Sequence, residues 1–325
     1  NILEQTGHEI EAVFHYHPTD AATWTLGAGY YGYEFERTPL IPGPFTFPSD
    51  FEFSYTSIFA QADLDLPGNF HLLTSGRFDE HDSFTSKGTY TAQLSREFEA
   101  TGTTLFAKSS TGYKAPSGQD FIYLAPTVDP TTLQPEESLT WEVGARQTLF
   151  NERSSIALTY FQADVENLID VDPFTFVDPA IVDTESRGLE LEFVYAPVET
   201  LRFYANATWL DAIITEGQYL GGFGGSPGDR LTRRPEYSLA GGVVVSGDTW
   251  KLGAEIRGAY ERLDAPNFYL DDYTVARFFG SVEVSENVEL YGRLENVFDL
   301  DYENTRGFAA AGFGVFGGVR VVFGP

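Results

Sequence analysis

Two pairs of side chains in this 325-residue sequence have the types and spacing that metal binding or acid–base catalysis use. His15 and His17 are two residues apart, which puts both on one side of an extended strand, where they could hold a metal ion. The plainer reading is solvated polar lining. Glu190 and Glu192 share a face in the same way, about 7 Å apart by strand rise, and two carboxylates at such a separation can serve glycoside hydrolysis. The plainer reading is water-facing charge balanced by Arg202, Arg257, Arg293 and Arg320. No GxSxG, HExxH or P-loop spacing occurs, and there is no cysteine to act as nucleophile or thiolate ligand. These residues therefore predict no catalytic residue, no metal ligand and no enzyme activity.

The elements that carry these residues are strands. The segment Thr184–Trp209 places Leu189, Leu191, Phe193 and Tyr195 on one face, opposite Glu190 and Glu192. After a short link at Ala196–Thr200, Leu201, Phe203, Ala205, Ala207 and Trp209 alternate with Arg202, Tyr204, Asn206 and Thr208. A period of two is a strand signature, and the short link makes the arms antiparallel. Trp250–Tyr260 repeats the pattern, with Leu252, Ala254, Ile256 and Gly258 against Lys251, Glu255 and Arg257.

About fifteen such segments follow one another, each roughly ten residues long, the length of a membrane-crossing strand. Seven connections are tight turns, and the ones between them are long, among them Thr38–Asp50, Lys114–Ser138 and Glu216–Arg230. Strict short–long alternation is the mark of an up-and-down transmembrane barrel with short periplasmic turns and long outer loops; Greek-key sandwiches lack it. The expected fold is all-β, an antiparallel transmembrane β-barrel wall, with residues 1–325 as a single domain. Bacterial single-chain barrels close on an even strand number, so an odd count predicts that N-terminal strands lie outside this sequence. Within the opening hairpin, Leu189, Leu191, Phe193, Leu201 and Phe203 should face lipid. Tyr195 should lie near the periplasmic interface, Trp209 near the outer one, and Pro197-Val198-Glu199 in the turn.

Composition narrows the partners. Aromatic residues make up 15% of the chain, and the formal net charge is −28, a field that repels phosphate backbones and argues against nucleic acid. No run of eighteen apolar residues exists, so no transmembrane helix is expected, and a barrel is unaffected by that.

Six motifs carry a family resemblance. TGYKAPSGQDFIYLAP (Thr111–Pro126), TLQPEESLTWEVGARQTLF (Thr132–Phe150) and SIALTYFQADVENLI (Ser155–Ile169) are followed by ESRGLELEF, LTRRPEYSLAGG and LYGRLENVFDLDYE. In order and spacing these resemble the barrel of TonB-dependent outer-membrane receptors, and Leu231-Thr232-Arg233-Arg234-Pro235 resembles the vitamin B12 receptor branch. The resemblance implies a twenty-two-stranded barrel closed by an N-terminal plug. The fifteen strands here would be its last ones, and the plug and TonB-contacting segment would lie outside this sequence. One departure is the end, where Gly324-Pro325 follows Phe323.

The resemblance implies import of a scarce large nutrient, of the cobalamin or iron siderophore class, across the bacterial outer membrane. The implied partners are the TonB complex, reached through the plug, together with outer-membrane lipid, lipopolysaccharide and the nutrient. Ligand contacts are expected in the long loops: Phe121, Tyr123, Tyr219, Phe223, Phe268 and Tyr269 as aromatic surfaces, Arg233 and Arg234 as cationic anchors. Each has a bland alternative, packing within its loop or contact with the membrane. No cofactor is assigned. Asp120, Asp129, Asp172, Asp178, Asp183, Asp271 and Asp272 could offer oxygens to Ca²⁺, but without EF-hand spacing, and divalent bridging to lipopolysaccharide or plain solvation fits equally. Two other classes stay open: a passive porin, and a soluble acidic β-domain.

Overall fold

Tight turns and alternating faces produce one continuous meander. The computed structural model describes residues 2–38, 50–83, 85–116, 134–150, 153–171, 179–217, 225–265 and 267–323. The strands of the main sheet begin with β1 (Ile2–Thr19), β2 (Ala22–Thr38), β3 (Asp50–Leu66), β4 (Phe70–His81), β5 (Lys87–Phe98), β6 (Thr103–Lys114) and β7 (Glu136–Leu149). They continue with β8 (Ser154–Val171), β9 (Pro179–Val198), β10 (Leu201–Gly217), β11 (Tyr237–Ser246) and β12 (Trp250–Tyr260). Two small hairpins stand apart, β13 (Arg262–Ala265) with β14 (Phe268–Leu270) and β17 (Glu303–Thr305) with β18 (Phe308–Ala309). They flank β15 (Tyr273–Ser285) and β16 (Val288–Glu295), and β19 (Gly314–Val321) ends the sheet. Fifteen strands pair in strict chain order, all antiparallel, with β1 and β19 at the two ends. The seven tight turns lie at one end of the sheet and the long connections at the other. No helix of the described residues is long and apolar enough to cross a membrane, which leaves crossing by strands untouched.

The outward face is apolar and open. Ile58, Leu158, Leu191, Leu252, Ile256 and Phe278 are all exposed there, a continuous surface that water would not tolerate and lipid would cover. β12 measures the band: Trp250 and Tyr260 stand on this face with Leu252, Ala254, Ile256 and Gly258 between them. Ten residues rise about 34 Å along a strand, or about 26 Å in height at a tilt near 40°, close to the apolar height of outer-membrane barrels. Trp209 registers with Tyr237, and Tyr237 with Tyr260, so an aromatic row runs across three neighbouring strands at the outer boundary, continued by Leu189 on β9. One step beyond it the same face turns charged, with Gln162, Arg187 and Asp211 in register and Arg187 Nη2 donating to Asp211 Oδ2 at 2.9 Å.

The inward face holds its large rings flat over glycines. Gly27 registers with Phe59, Gly144 with Phe106, Gly188 with Phe161, Gly242 with Tyr204 and Gly253 with Phe279. In each pair a Cβ on the glycine would fall within 2.1–2.7 Å of the ring. Without these glycines the rings would have to stand up into the lumen.

Several expected boundaries shift for local reasons. The strands overrun the outer girdle, β9 reaching 20 residues, because the pairing continues after the apolar alternation stops. In the hairpin at Thr184–Trp209 pairing runs through Val198 and the turn is Glu199-Thr200 alone. β12 ends at Tyr260 because the next residue, Glu261, has φ of 52° and its N–H is held by Asp272 Oδ1 at 2.8 Å. β16 stops before Asn296 (φ 45°), whose side chain donates to the Leu300 and Ala311 carbonyls across the following loop, and the last strand starts only at Gly314.

Candidate functional site

Two groups of side chains stand out, one in the outer loops and one on the inner wall. In the loops, three connections are tied together by buried charge. Asp264 is almost fully buried and accepts from Arg233 Nε at 3.3 Å and from the Arg306 backbone N–H at 3.4 Å. Arg262, also buried, donates to the carbonyls of Asp271 (2.7 Å), Asn304 (3.2 Å) and Glu303, with its guanidinium 4.7 Å from the Tyr273 ring centre. Tyr273 packs on Tyr302 at 4.3 Å, and the Arg306 guanidinium lies 4.4 Å from the Phe268 ring centre. A buried guanidinium that saturates several carbonyls fixes the backbone it touches.

This knot gathers two of the residues expected to meet ligand. Arg233 is engaged by Asp264, and Phe268 by Arg306. Arg234 reaches back to the Arg233 carbonyl at 3.3 Å, and Tyr269 is half-exposed on β14, in register with Leu263. Phe121, Tyr123, Tyr219 and Phe223 lie outside the described residues, as do Asp120, Asp129, Asp172 and Asp178. Asp183 Oδ1 accepts from the Asn167 N–H at 2.9 Å. His15 and His17 each face a threonine across the first hairpin, Thr25 and Thr23, at 3.0 Å. Glu192 is met by Arg146 at 3.6 Å rather than by the arginines expected; Arg320 pairs with Glu289 and Arg293 with Glu295.

The second group, on the inner wall at the outer end of β1–β6, is not among the residues expected from sequence. Arg77, Asp79 and His81 alternate along β4, so all three project to one side. Arg77 Nε donates to both Asp79 oxygens, at 2.9 and 3.0 Å, and Tyr113 Oη donates to Asp79 Oδ2 at 2.8 Å. His81 Nε2 lies 2.9 Å from that same hydroxyl. Tyr55 is sandwiched between Tyr31 and His81, each ring centre 4.7 Å away, and Tyr33 packs on Phe53 at 5.1 Å. The phenols of Tyr31 and Tyr33 are anchored by Glu11 and Glu9 of β1. Asp79 is 2% exposed, so its charge is carried by Arg77 and the Tyr113 hydroxyl. The sequence does offer a signal here: Tyr31/Tyr33 and Arg77/Asp79/His81 are same-face runs. The second of them runs past Phe78, where the apolar residues of the outward face give way to Glu80 and the alternation fades. Among the described residues no three His, Cys, Asp or Glu side chains converge as metal ligands.

With this geometry in place, comparison with known proteins decides the family. The family model described as "TonB dependent receptor-like, beta-barrel" matches residues 5–297. The chain belongs to that family. Among curated relatives, the vitamin B12 transporter BtuB of Photobacterium profundum is 27% identical over 259 residues, 76% of this chain and 39% of the relative. The BtuB of Vibrio vulnificus is 24% identical over 206 residues, 61% of this chain and 30% of the relative. The chain thus spans less than half the length of the transporters it matches. Among solved structures, a mutant of the ferric enterobactin receptor PfeA from Pseudomonas aeruginosa superposes with a TM-score of 0.72 at 18% identity, covering 99% of this chain and 54% of that one. The copper transporter OprC gives 0.76 at 14% identity, covering 99% and 56%. These likenesses are of fold: fifteen strands of a TonB-dependent receptor barrel.

Proposed function

We propose that the protein is an outer-membrane receptor that imports a scarce large nutrient using energy passed through TonB. The observation that carries this reading is the two-faced wall of a TonB-dependent receptor barrel, apolar from Trp250 to Tyr260 outside and charged and tyrosine-rich inside. In this account the outer loops capture cargo above the membrane, a plug within the barrel completes the site, and TonB acts on the plug. This chain supplies the wall and the loops and makes no covalent change in its cargo. BtuB relatives support cobalamin as the first cargo to try, and the fold neighbours support ferric siderophores as the second. Lipid, and lipopolysaccharide at the charged outer rim, would surround the apolar band. In this reading the Asp272 carboxylate and the Asp271 carbonyl pin the loop after β12, and Asp183 holds the irregular stretch of β8 at Asn167, with no resident ion.

The test is uptake of radiolabelled cyanocobalamin, and separately of a ferric tris-catecholate, by cells that lack their own receptor and express this protein. Uptake of either cargo that disappears when TonB is deleted is the expected result. Steady ion conductance in planar bilayers, with uptake indifferent to TonB, would instead establish a passive porin.

A further inference from the structure

Among the described strand residues, Arg96 is the one lysine or arginine on the outward face at the end where the tight turns lie. It registers with Phe70 on β4 and Leu105 on β6, and Phe98 follows it on the same face of β5. The next row toward the membrane centre is Leu72, Leu94 and Ala107, about 7 Å away along the strand. In the other direction come the turns at 67–69 and 99–102. The side chain therefore stands at the level of Phe70, which opens β4 as Trp250 opens β12, where the apolar layer gives way to headgroups. Its guanidinium is exposed and lies 4.9 Å from the Phe70 ring centre and 4.6 Å from that of Phe98. Rings attract the charge but leave the N–H donors without an ordinary acceptor. Among the described residues no carboxylate pairs with it: Glu97 points to the other face, and Glu99 accepts from Asn69 Nδ2 at 2.6 Å. By contrast Arg187, on the outward face at the outer rim, has Asp211, and Arg146, Arg277 and Arg320 on the inner wall each have a glutamate. An unpaired cation at this depth takes its counter-charge from its surroundings, and the surroundings there are lipid phosphates. The planar fork of a guanidinium matches two phosphate oxygens.

We propose that Arg96, positioned by Phe70 and Phe98, binds the phosphodiester of an anionic glycerophospholipid in the periplasmic leaflet and holds one lipid at this point of the wall. The preference for a net negative headgroup follows from charge: a phosphatidylglycerol leaves the pair neutral, whereas the choline of a zwitterionic lipid restores a positive charge beside the arginine. A chain of net charge −28 repels anionic lipid as a whole, so a preference for it must be local. The proposal rests on the outward face meeting lipid and is independent of what the barrel carries.

The test is a titration of the intact protein in detergent micelles with dioleoyl-phosphatidylglycerol, and separately with dioleoyl-phosphatidylcholine, counting bound lipids by native mass spectrometry. At physiological ionic strength the Debye length is about 8 Å, so distant charges contribute little. The first phosphatidylglycerol should bind more tightly than phosphatidylcholine. Arg96→Gln should weaken it about tenfold or more, to the level of phosphatidylcholine. Arg96→Lys keeps the charge but loses the fork, and should weaken it about threefold or more. Arg153→Gln removes a cation already paired with Glu199 in a turn at the same end, and should change neither lipid. Undiminished phosphatidylglycerol binding in Arg96→Gln or, if that variant does not fold, in Arg96→Lys overturns the proposal. An equal loss in Arg153→Gln overturns it in favour of diffuse charge, and displacement of the lipid by inorganic phosphate overturns it in favour of a free-anion site.

Discussion

Replacing Gly188 by alanine adds a single methyl group where two neighbouring strands leave no room for one. A Cβ there would lie 2.3 Å from the Trp209 carbonyl oxygen and 2.7 Å from Phe161 Cζ, when ordinary contact begins near 3.4 Å. The Phe161 ring can swing away about its side-chain torsions. The carbonyl belongs to the adjacent strand β10, where Gly188 registers with Leu210, and can yield only if the β9–β10 ladder opens by roughly 1 Å. Overpacking of this kind costs about 1–3 kcal/mol. Alanine returns about 0.5–1 kcal/mol because it loses less backbone freedom than glycine in a strand. A backbone clash belongs at the upper end of the first range, so the net loss should be about 2 kcal/mol, roughly thirtyfold in the folding equilibrium. Gly76→Ala is the control, since the nearest atom to its Cβ is 3.9 Å away, and it should be neutral or slightly stabilising. The assay is equilibrium urea unfolding in phospholipid vesicles, followed by emission of the four tryptophans. If Gly188→Ala is as harmless as Gly76→Ala, the flat-ring packing of the inner wall and the β9–β10 register are wrong.

Other consequences follow from the same geometry. Phe193 and its register partner Ala205 lie midway between Leu201 and Trp209, so Phe193→Arg should cost about 2–4 kcal/mol in vesicle unfolding. Phe203→Arg, nearer the turn, should cost less, and Asn206→Arg, which faces Glu192 inside, should be near neutral. Arg262→Ala leaves the carbonyls of Asp271, Glu303 and Asn304 without their donor; hydrogen exchange by mass spectrometry should accelerate at least tenfold at 261–272 and 303–309 while the strands stay protected. In the connection after β4, burial pushes the Asp82 carboxyl up, but hydrogen bonds from the Ser54 N–H and hydroxyl and from Ser83 outweigh it and hold its pKa below the usual value. A depressed carboxyl stabilises the fold above its unfolded pKa, near 4, and loses that contribution as pH falls through the folded value. Asp82→Asn should therefore flatten the stability–pH curve on the acid side of pH 4 and leave its slope at neutral pH unchanged.

The strand order was legible because lipid and water impose opposite chemistry on alternate residues. Leu252–Gly258 and Leu189–Tyr195 declare their faces without help from any other strand, and the turns at Pro67-Gly68-Asn69 and Glu286-Asn287 declare themselves by residue type. Beyond the outer girdle the contrast ends. Arg187 and Asp211 are polar on the outward side and their neighbours are polar on the inward side, so nothing in the pattern marks where pairing stops. Breaks made by non-glycine residues at positive φ, such as Glu261 and Asn296, are equally silent, since each depends on a side-chain partner elsewhere. The aromatic wall was hidden for a different reason. Tyr55, Arg77 and Tyr113 come from three strands, and only the cross-strand register makes them neighbours. The Arg233–Asp264 and Phe268–Arg306 contacts were hidden in the same way: the residue types suggested a role, and the partners came from distant loops.

The central claim is that one face of this wall meets lipid and the other does not. Because the chain has no cysteine, single cysteines at Leu191, Glu192 and Phe193 can each carry a nitroxide without background. Power saturation in phospholipid vesicles should show Leu191 and Phe193 open to oxygen and closed to a water-soluble nickel chelate, with Glu192 between them showing the reverse. Nickel access at Leu191 and Phe193 equal to that at Glu192 would contradict the account.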